Sequence, residues 1–152
     1  MCARPSQYVR NVAELLEAQR ERIVAVVGDL NIAPDAMDAT EDYGKFFLAG
    51  GDGSGDWRGR LATLRELHRT MARKGELVDA WRAQHAERVE YTAPGHKWNA
   101  STGAWSARVD LTLVPRRSLE LVDARIYGEI GARVKGANSD HVPVGVRVPL
   151  LA

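Results

Sequence analysis

The chain has 152 residues, 45% of them hydrophobic, which fits one ordinary globular domain and excludes a disordered or fibrous segment. Its 21 basic and 20 acidic residues give a net charge of +1, so any phosphate binding must be local. The single cysteine, Cys2, excludes an internal disulfide framework and a zinc site made from cysteines. No apolar run reaches the ~18 residues of a membrane span, and the first residues lack signal-peptide order, so we expect an intracellular protein.

The first predicted element is an amphipathic helix from Val9 to Ile23. Its apolar residues lie between charged ones at helical spacing, at Val9, Val12, Leu15, Leu16 and Ile23. The apolar run IVAVV, residues 23–27, follows at once and predicts a buried strand. A helix that leads into a buried strand indicates an α/β domain.

A glycine-rich stretch, residues 42–56, comes next and predicts a flexible surface loop. It is not a phosphate-binding loop, because no Gly-Lys-Ser/Thr follows it. The segment Trp57–Lys74 predicts a second helix with Gly75 as its C-terminal cap. Its apolar stripe consists of Leu61, Leu64, Leu67 and Met71. His68 lies beside the stripe and is predicted to be a packed or surface helix residue, not a ligand.

The second half of the chain is rich in predicted strands. Apolar and polar residues alternate from Ala107 to Val114, the period of a half-buried strand. Further strand-like segments are Val89–Thr92, Leu119–Tyr127 and Val142–Val148. There is no internal repeat and no sign of a second domain.

Acidic residues recur at the ends of, or inside, the predicted strands: Asp29, Asp110 and Asp140. Carboxylates in such positions can converge, and with the oxygen of Asn31 they suit hard cations such as Mg²⁺ or Mn²⁺. His141 can supply the charge or the proton that phosphoryl transfer needs. These are the parts of a metal-assisted phosphodiesterase. Each carboxylate also has an ordinary structural explanation, as a turn former, a solvent-facing strand residue or a cap.

Four segments resemble a known family by their residues and by their order along the chain: GDLNIAP, LVDAWR, ARVDLTLV and SDHVPV. Together they resemble the exonuclease III and apurinic/apyrimidinic endonuclease branch of the endonuclease/exonuclease/phosphatase superfamily, from about Val9 to Leu150. GDLN and SDH are typical of the whole superfamily. IAPDAMD and LVDAWRAQHAERVEYT resemble its DNA-repair branch.

The resemblance implies the C-terminal half of a two-sheet α/β sandwich, with a mixed, mostly antiparallel sheet and flanking helices. Residues 1–152 would then form one partial domain. A front half bearing a metal-binding Glu has no counterpart in the sequence. We therefore expect an exposed apolar sheet face, which needs an N-terminal half or self-association, and weak or no activity of the chain alone.

The same resemblance implies roles for individual residues. Asp29 would handle the proton of the attacking water, and Asn31 would hold Asp29 or the scissile phosphate in register. Asp140 would be a metal ligand for Mg²⁺ or Mn²⁺. His141 would contact the phosphate, and Asp110 would orient His141.

Substrate contacts are implied for Trp98 and Arg108, and Trp105 is a second aromatic candidate. Trp98 would form a wall of an abasic-sugar pocket, although a loop aromatic that packs over the sheet edge is an open alternative. Basic residues that could bind DNA phosphates are Arg65, Arg69, Arg73, Lys74, Arg116 and Arg117. A solvated helix face explains the first four equally well.

The leading functional hypothesis is a metal-dependent hydrolase of DNA phosphodiester bonds, an endonuclease or 3′ exonuclease acting at abasic sites. Another superfamily branch, acting on phosphoinositides, sphingomyelin or nucleotide-linked phosphates, stays open. So does a non-catalytic half-domain that serves as an interaction module. A eukaryotic repair enzyme would be nuclear and a bacterial one cytoplasmic.

Overall fold

The computed structural model describes residues 5–44, 55–94, 106–127 and 141–149. The helices are α1 (Pro5–Gln19), α2 (Glu41–Tyr43), α3 (Trp57–Lys74) and α4 (Ala80–Gln84). The strands are β1 (Val26–Asp29), β2 (Leu77–Asp79), β3 (Ala93–Pro94), β4 (Ser106–Ala107), β5 (Asp110–Pro115), β6 (Asp123–Ile126) and β7 (Val144–Arg147). The 3-10 helices within these described ranges cover Ala36–Asp38 and Arg116–Leu121. None of the described helices has the length and apolar character to cross a membrane.

In the part of the chain that the structure describes, the main sheet has three strands in the order β1-β5-β2, and both of its ladders are antiparallel. Two smaller antiparallel pairs accompany it, β3 with β4 and β6 with β7. The prediction of an α/β fold with a mostly antiparallel sheet and flanking helices is confirmed. The expectation of one partial domain over residues 1–152 stays a prediction.

β5 is the central strand because β1 and β2 pair with its two edges, and this chain also covers both of its faces. Leu111 and Leu113 pack into a core with α1 and α3. Val114 packs with Trp81 of α4 and with residues of β6 and β7. The alternating sequence predicts a half-buried strand, but Thr112 is buried as well. The expected exposed sheet face is therefore not found on β5.

Exposed apolar surface on the main sheet is found at its edge. Val27 of β1 is 49% exposed, whereas the neighbouring Val26 packs against the core shared by α1 and α3. An edge strand with one covered face accounts for this alternation. An uncovered sheet face is thus limited to β1 among the described strands of this sheet.

α3 begins and ends where the sequence predicts. The Asp56 carboxylate accepts a hydrogen bond from the Gly59 N–H at the N-terminus, and the Gly75 N–H caps the C-terminus by donating to Met71. His68 is 8% exposed, which confirms that it is a packed helix residue. Burial lowers the pKa of His68, because desolvation disfavours the imidazolium form.

Two predicted strands differ from the structure. The segment Val89–Thr92 is irregular, and strand pairing begins only after it, at Ala93 of β3. The segment Leu119–Tyr127 begins inside a 3-10 helix and becomes a strand only at β6. Leu121 is 57% exposed, so the apolar residues there do not alternate toward one core as a strand requires.

The first helix also lies four residues earlier than predicted, at Pro5–Gln19 instead of Val9–Ile23. It ends in a turn in which the Arg22 N–H donates to the Gln19 carbonyl. Most of the predicted glycine-rich loop, residues 45–54, lies outside the described residues.

Candidate active site

The site begins where β1 ends. Asp29 is the last residue of β1 and lies directly opposite Asp110, the first residue of β5. Beyond this pair, the Leu30 N–H donates to the Val109 carbonyl at 3.0 Å, which continues the register past the strand end. Side chains directly opposite each other on antiparallel strands lie within reach of one another. The sheet therefore brings two carboxylates together from positions far apart in the sequence.

Asn31 holds the Asp29 carboxylate by both oxygens. Its backbone N–H donates to Oδ1 at 2.8 Å, and its side-chain Nδ2 donates to Oδ2 at 3.1 Å. Asn31 has a φ of 51°, in the left-handed region that asparagine tolerates better than most residues. This backbone turn lets the side chain of Asn31 reach back to Asp29, which is one of the two contacts that the resemblance implies for Asn31.

Tyr43 of α2 contacts the Asp29–Asn31 turn. Its hydroxyl donates to the Asn31 carbonyl at 3.5 Å. Burial, with the nearby charge of Asp29, raises the pKa of Tyr43 to about 12, so the phenol keeps its proton. The sequence analysis did not single out Tyr43, and only its position in an apolar, acidic segment after GDLNIAP could have suggested it.

His141 bonds to Asp110. Its Nδ1 lies 2.7 Å from Asp110 Oδ2, and because a carboxylate accepts, Nδ1 donates. Both side chains are partly exposed, so the pair lies at the surface of the protein beside Asp29. The bond fixes the rotation of the imidazole ring. The structure thus brings together four of the residues singled out in the sequence, Asp29, Asn31, Asp110 and His141.

Three of these residues form a group that could hold a metal ion. One ligand atom from each of Asp29, Asp110 and His141 lies within 4.8 Å of the others. Two carboxylates suit a hard divalent cation such as Mg²⁺ or Mn²⁺, which takes oxygen ligands. Since His141 Nδ1 is engaged with Asp110, the carboxylate oxygens are the better candidates for ligands. The donor set fits a divalent cation.

Arg108 lies in the interior and not at the site surface. It is 1% exposed, its guanidinium donates hydrogen bonds to Asp38 from Nε at 2.8 Å and Nη2 at 3.0 Å, and it forms an ion pair with Asp79 at 2.7 Å. The guanidinium also lies 5.1 Å from the ring centroid of Trp81. This placement favours a structural role for Arg108 over the predicted contact with substrate.

Asp38 is the centre of this interior network, and the sequence analysis missed it. It is fully buried and binds Arg82 of α4 as well as Arg108. Burial alone would raise the pKa of Asp38, but the hydrogen bonds and charges of the two arginines outweigh it and lower the pKa. The sequence feature that could have drawn attention to Asp38 is its spacing from Asp35, because the two residues form a reciprocal capping box.

The predicted basic cluster is mostly engaged within the protein. Its bonded members are Arg65 to the carbonyls of Ala33 and Asp35, Arg69 to Glu66, Lys74 to Glu17, and Arg117 to the Arg20 carbonyl. Arg69, Arg73 and Arg116 line a cavity of about 570 Å³. This cavity lies beyond Pro115, at the end of β5 opposite Asp110. These three arginines therefore lie away from Asp29 and Asp110, and the binding of DNA phosphates by the basic residues stays a prediction.

Three predicted residues, Trp98, Trp105 and Asp140, lie outside the described residues. Their roles stay predictions. The described part of the site consists of the Asp29–Asn31 turn and the Asp110–His141 pair.

No family model matches the chain, and no curated protein matches it either. Solved structures do match. The Neisseria 3′ phosphatase NExo, solved with a product DNA hairpin, has a TM-score of 0.68 and 19% identity over 95% of this chain and 52% of that one. A 3′-5′ exonuclease from Neisseria meningitidis has a TM-score of 0.66 and 20% identity over 94% and 52%. An AP endonuclease from Archaeoglobus fulgidus has a TM-score of 0.61 and 18% identity over 93% and 53%.

At this level of identity the likeness shows the fold, which is that of the endonuclease/exonuclease/phosphatase type. The chain spans about half the length of each of these structures.

Proposed function

We propose that the chain is a divalent-metal-dependent phosphodiesterase that acts on DNA, of the exonuclease III and AP endonuclease branch. The observation that carries the proposal is the β1–β5 register, which sets the Asp29–Asn31 turn beside the Asp110–His141 pair. Structures with the same fold include a 3′ phosphatase bound to product DNA and an AP endonuclease, which supports DNA as the substrate.

In this proposal the scissile phosphate lies between the Asp29–Asn31 turn and the Asp110–His141 pair. Asp29 takes the proton of the attacking water at a carboxylate oxygen, and Asn31 keeps that carboxylate in place through its Nδ2. His141, held by Asp110 at Nδ1, contacts the phosphate and offsets its developing negative charge. A bound Mg²⁺ or Mn²⁺ would supply further charge neutralisation, held by carboxylates of Asp29, Asp110 and Asp140.

The proposal also concerns the groups of the active site that this chain does not supply. Because the chain spans about half of each structure that it matches, we propose that activity of the chain alone is weak or absent. An added N-terminal half of the same fold, or a second copy of the chain, would supply the remaining groups. Recognition of an abasic sugar through Trp98 belongs to the same proposal.

The first test is cleavage of a labelled duplex with one abasic analogue, in Mg²⁺ and in EDTA. Wild type is compared with His141→Ala, and His85→Ala is the control that removes an imidazole elsewhere. Cutting that needs both the metal and His141 supports the proposal. If wild type does not cut, an N-terminal half of a matching structure is added. Absence of cutting then, or cutting that persists in EDTA and in His141→Ala, overturns it.

The second test separates DNA from a small phosphodiester. Binding of DNA through several phosphates weakens steeply with salt, because each contact releases counterions. We therefore expect binding of a fluorescent duplex to weaken at least about tenfold between roughly 50 and 200 mM salt. A flat salt dependence together with hydrolysis of a phosphoinositide or sphingomyelin would point to another branch of the superfamily.

A further inference from the structure

Thr92 lies just before β3 and is fully buried. Its hydroxyl oxygen accepts two hydrogen bonds, from the backbone N–H groups of Val109 and Asp110, each at 3.0 Å. Its backbone carbonyl accepts a third, from the N–H of Val142 at 2.7 Å. One residue thus binds both the chain segment that carries Asp110 and the segment that carries His141.

The hydroxyl of Thr92 is the hydrogen-bond acceptor for two backbone N–H groups where the chain passes from β4 to β5. Arg108 and Val109 separate β4 from β5, so the chain there leaves one strand pairing before it enters the next. The Arg108 N–H is bonded to the Asp38 carbonyl, and the next two N–H groups have Thr92 Oγ1 as acceptor. A hydroxyl oxygen has two lone pairs, and both are used here. Buried amides need such an acceptor.

The carbonyl of Thr92 holds the backbone next to His141, the second residue of the Asp110–His141 pair. Val142 follows His141 directly, so the 2.7 Å bond from the Val142 N–H holds the backbone beside the imidazole. Asp110 and His141 are 31 residues apart in the chain, yet their side chains meet at 2.7 Å. A hydrogen bond of that length weakens when its partners shift by a few tenths of an ångström.

We propose that Thr92 is a positioning residue that sets the geometry of the Asp110–His141 hydrogen bond. It touches neither a substrate nor the reacting atoms, and it acts through the backbones of Asp110 and Val142. The inference rests on the proposed function in one respect, since it treats the Asp110–His141 pair as part of the reaction site. The geometry itself is independent of any substrate.

The test compares three variants of the full chain by NMR. Thr92→Val keeps the side-chain shape but removes the acceptor oxygen, whereas Thr92→Ser keeps the oxygen. Thr112→Val is the matched control, because Thr112 is also buried and lies on β5. The readout is the low-field resonance of the His141 Nδ1 proton, assigned by its loss in His141→Gln. Such a resonance reports the hydrogen bond to Asp110 directly, and a residue with only a stabilising role would not move it.

We expect the His141 proton resonance to disappear or move upfield in Thr92→Val and to keep its position in Thr92→Ser and Thr112→Val. An unchanged resonance in a folded Thr92→Val protein overturns the inference, whatever its melting temperature. If Thr92→Val does not fold, amide exchange in wild type decides. The Val109, Asp110 and Val142 amides are then expected to exchange as slowly as those of the β5 interior, and fast exchange of any of them overturns the inference.

An activity measurement separates this inference from the proposed function. If wild type, alone or with an N-terminal half, cleaves DNA, we expect Thr92→Val to lower kcat at least about tenfold with little change in KM, and Thr92→Ser to restore it. Normal kcat in Thr92→Val would overturn the positioning role while leaving the proposed function intact. If wild type does not cleave at all, the proposed function fails, and the NMR readout still tests Thr92.

Discussion

Asp29 and Asp110 stand directly opposite each other at one end of the β1–β5 ladder, and each is bonded to a different polar partner. Asn31 holds Asp29 through both carboxylate oxygens, and His141 binds Asp110 at 2.7 Å. Two like charges held side by side on a sheet are costly unless a cation or a charged ligand balances them. This relationship is the basis for the predictions on the site.

The Asp29 carboxylate is expected to be essential for cleavage. Asp29→Asn keeps the shape of the side chain but removes the proton acceptor, so we expect the rate to fall at least about a hundredfold. His141→Ala should cost a similar factor, because it removes the group that offsets charge on the phosphate. The measurement is single-turnover cleavage of abasic duplex DNA by the active form. Glu120→Gln, at an exposed position away from the site, is the control, and near-normal rates in both site variants would refute the assigned roles.

Asn31 contributes a side-chain hydrogen bond to Asp29 and a left-handed backbone conformation, and substitutions can separate the two. Asn31→Gly removes the Nδ2 bond to Asp29 but keeps the backbone N–H bond and accepts the φ of 51°. We expect its rate to fall about tenfold while the free energy of unfolding changes by less than about 1 kcal/mol. Asn31→Ala should be less stable than Asn31→Gly by about 1 kcal/mol, because an L side chain is strained at positive φ.

Urea unfolding of both Asn31 variants checks the stability terms, and the cleavage assay checks the rate. Equal stability of the alanine and glycine variants would mean that the left-handed turn is not retained in solution. A normal rate in Asn31→Gly would mean that the amide of Asn31 does not hold Asp29 during the reaction.

Divalent metal binding is expected to depend on the facing carboxylates. We expect Mn²⁺ to bind wild type, and Asp29→Asn and Asp110→Asn each to weaken that binding at least about tenfold, because each removes a charged oxygen ligand. The measurement is the free Mn²⁺ signal in electron paramagnetic resonance during a titration. Glu120→Gln should bind as wild type does. Wild-type affinity in both site variants would place the ion elsewhere.

The interior network around Asp38 predicts a pH dependence of stability. The folded-state pKa of Asp38 lies below its unfolded value of about 3.9, so unfolding takes up a proton in acid. The stabilisation is complete above the unfolded pKa and is lost as the pH falls through the folded pKa. We expect the free energy of unfolding to fall below about pH 4 more steeply in wild type than in Asp38→Asn, measured by urea unfolding across that window.

At neutral pH, Asp38→Asn is expected to lower the free energy of unfolding by about 3–5 kcal/mol, because it removes the buried carboxylate that Arg82 and Arg108 share and leaves Asp79 to balance the buried Arg108 charge. Glu66→Gln, which breaks the exposed pair with Arg69, is the control and should cost less than about 1 kcal/mol. Similar losses in the two variants would contradict the structural role assigned to Asp38.

The helix α3 shows what local sequence determines well. Its apolar stripe repeats at helical spacing, its first turn is capped by Asp56 and its end is marked by Gly75, all within one continuous segment. The strand prediction at Val89–Thr92 was wrong because pairing begins only at Ala93, where β3 meets β4 from later in the chain. Nothing within those four residues carries that information.

For the site, the sequence by itself determined which residue types stand at the ends of the strands, since GDLN and SDH are short continuous motifs. It also led to the expectation that the carboxylates of Asp29, Asp110 and Asp140 converge, and the family resemblance implied that Asp110 orients His141. Only the tertiary structure decided that Arg108 bonds to Asp38, 70 residues away, and that Thr92 bonds to Asp110 and Val142. Spacing and capping act within a few residues, whereas the partner of a buried polar group is set by the packing of distant segments.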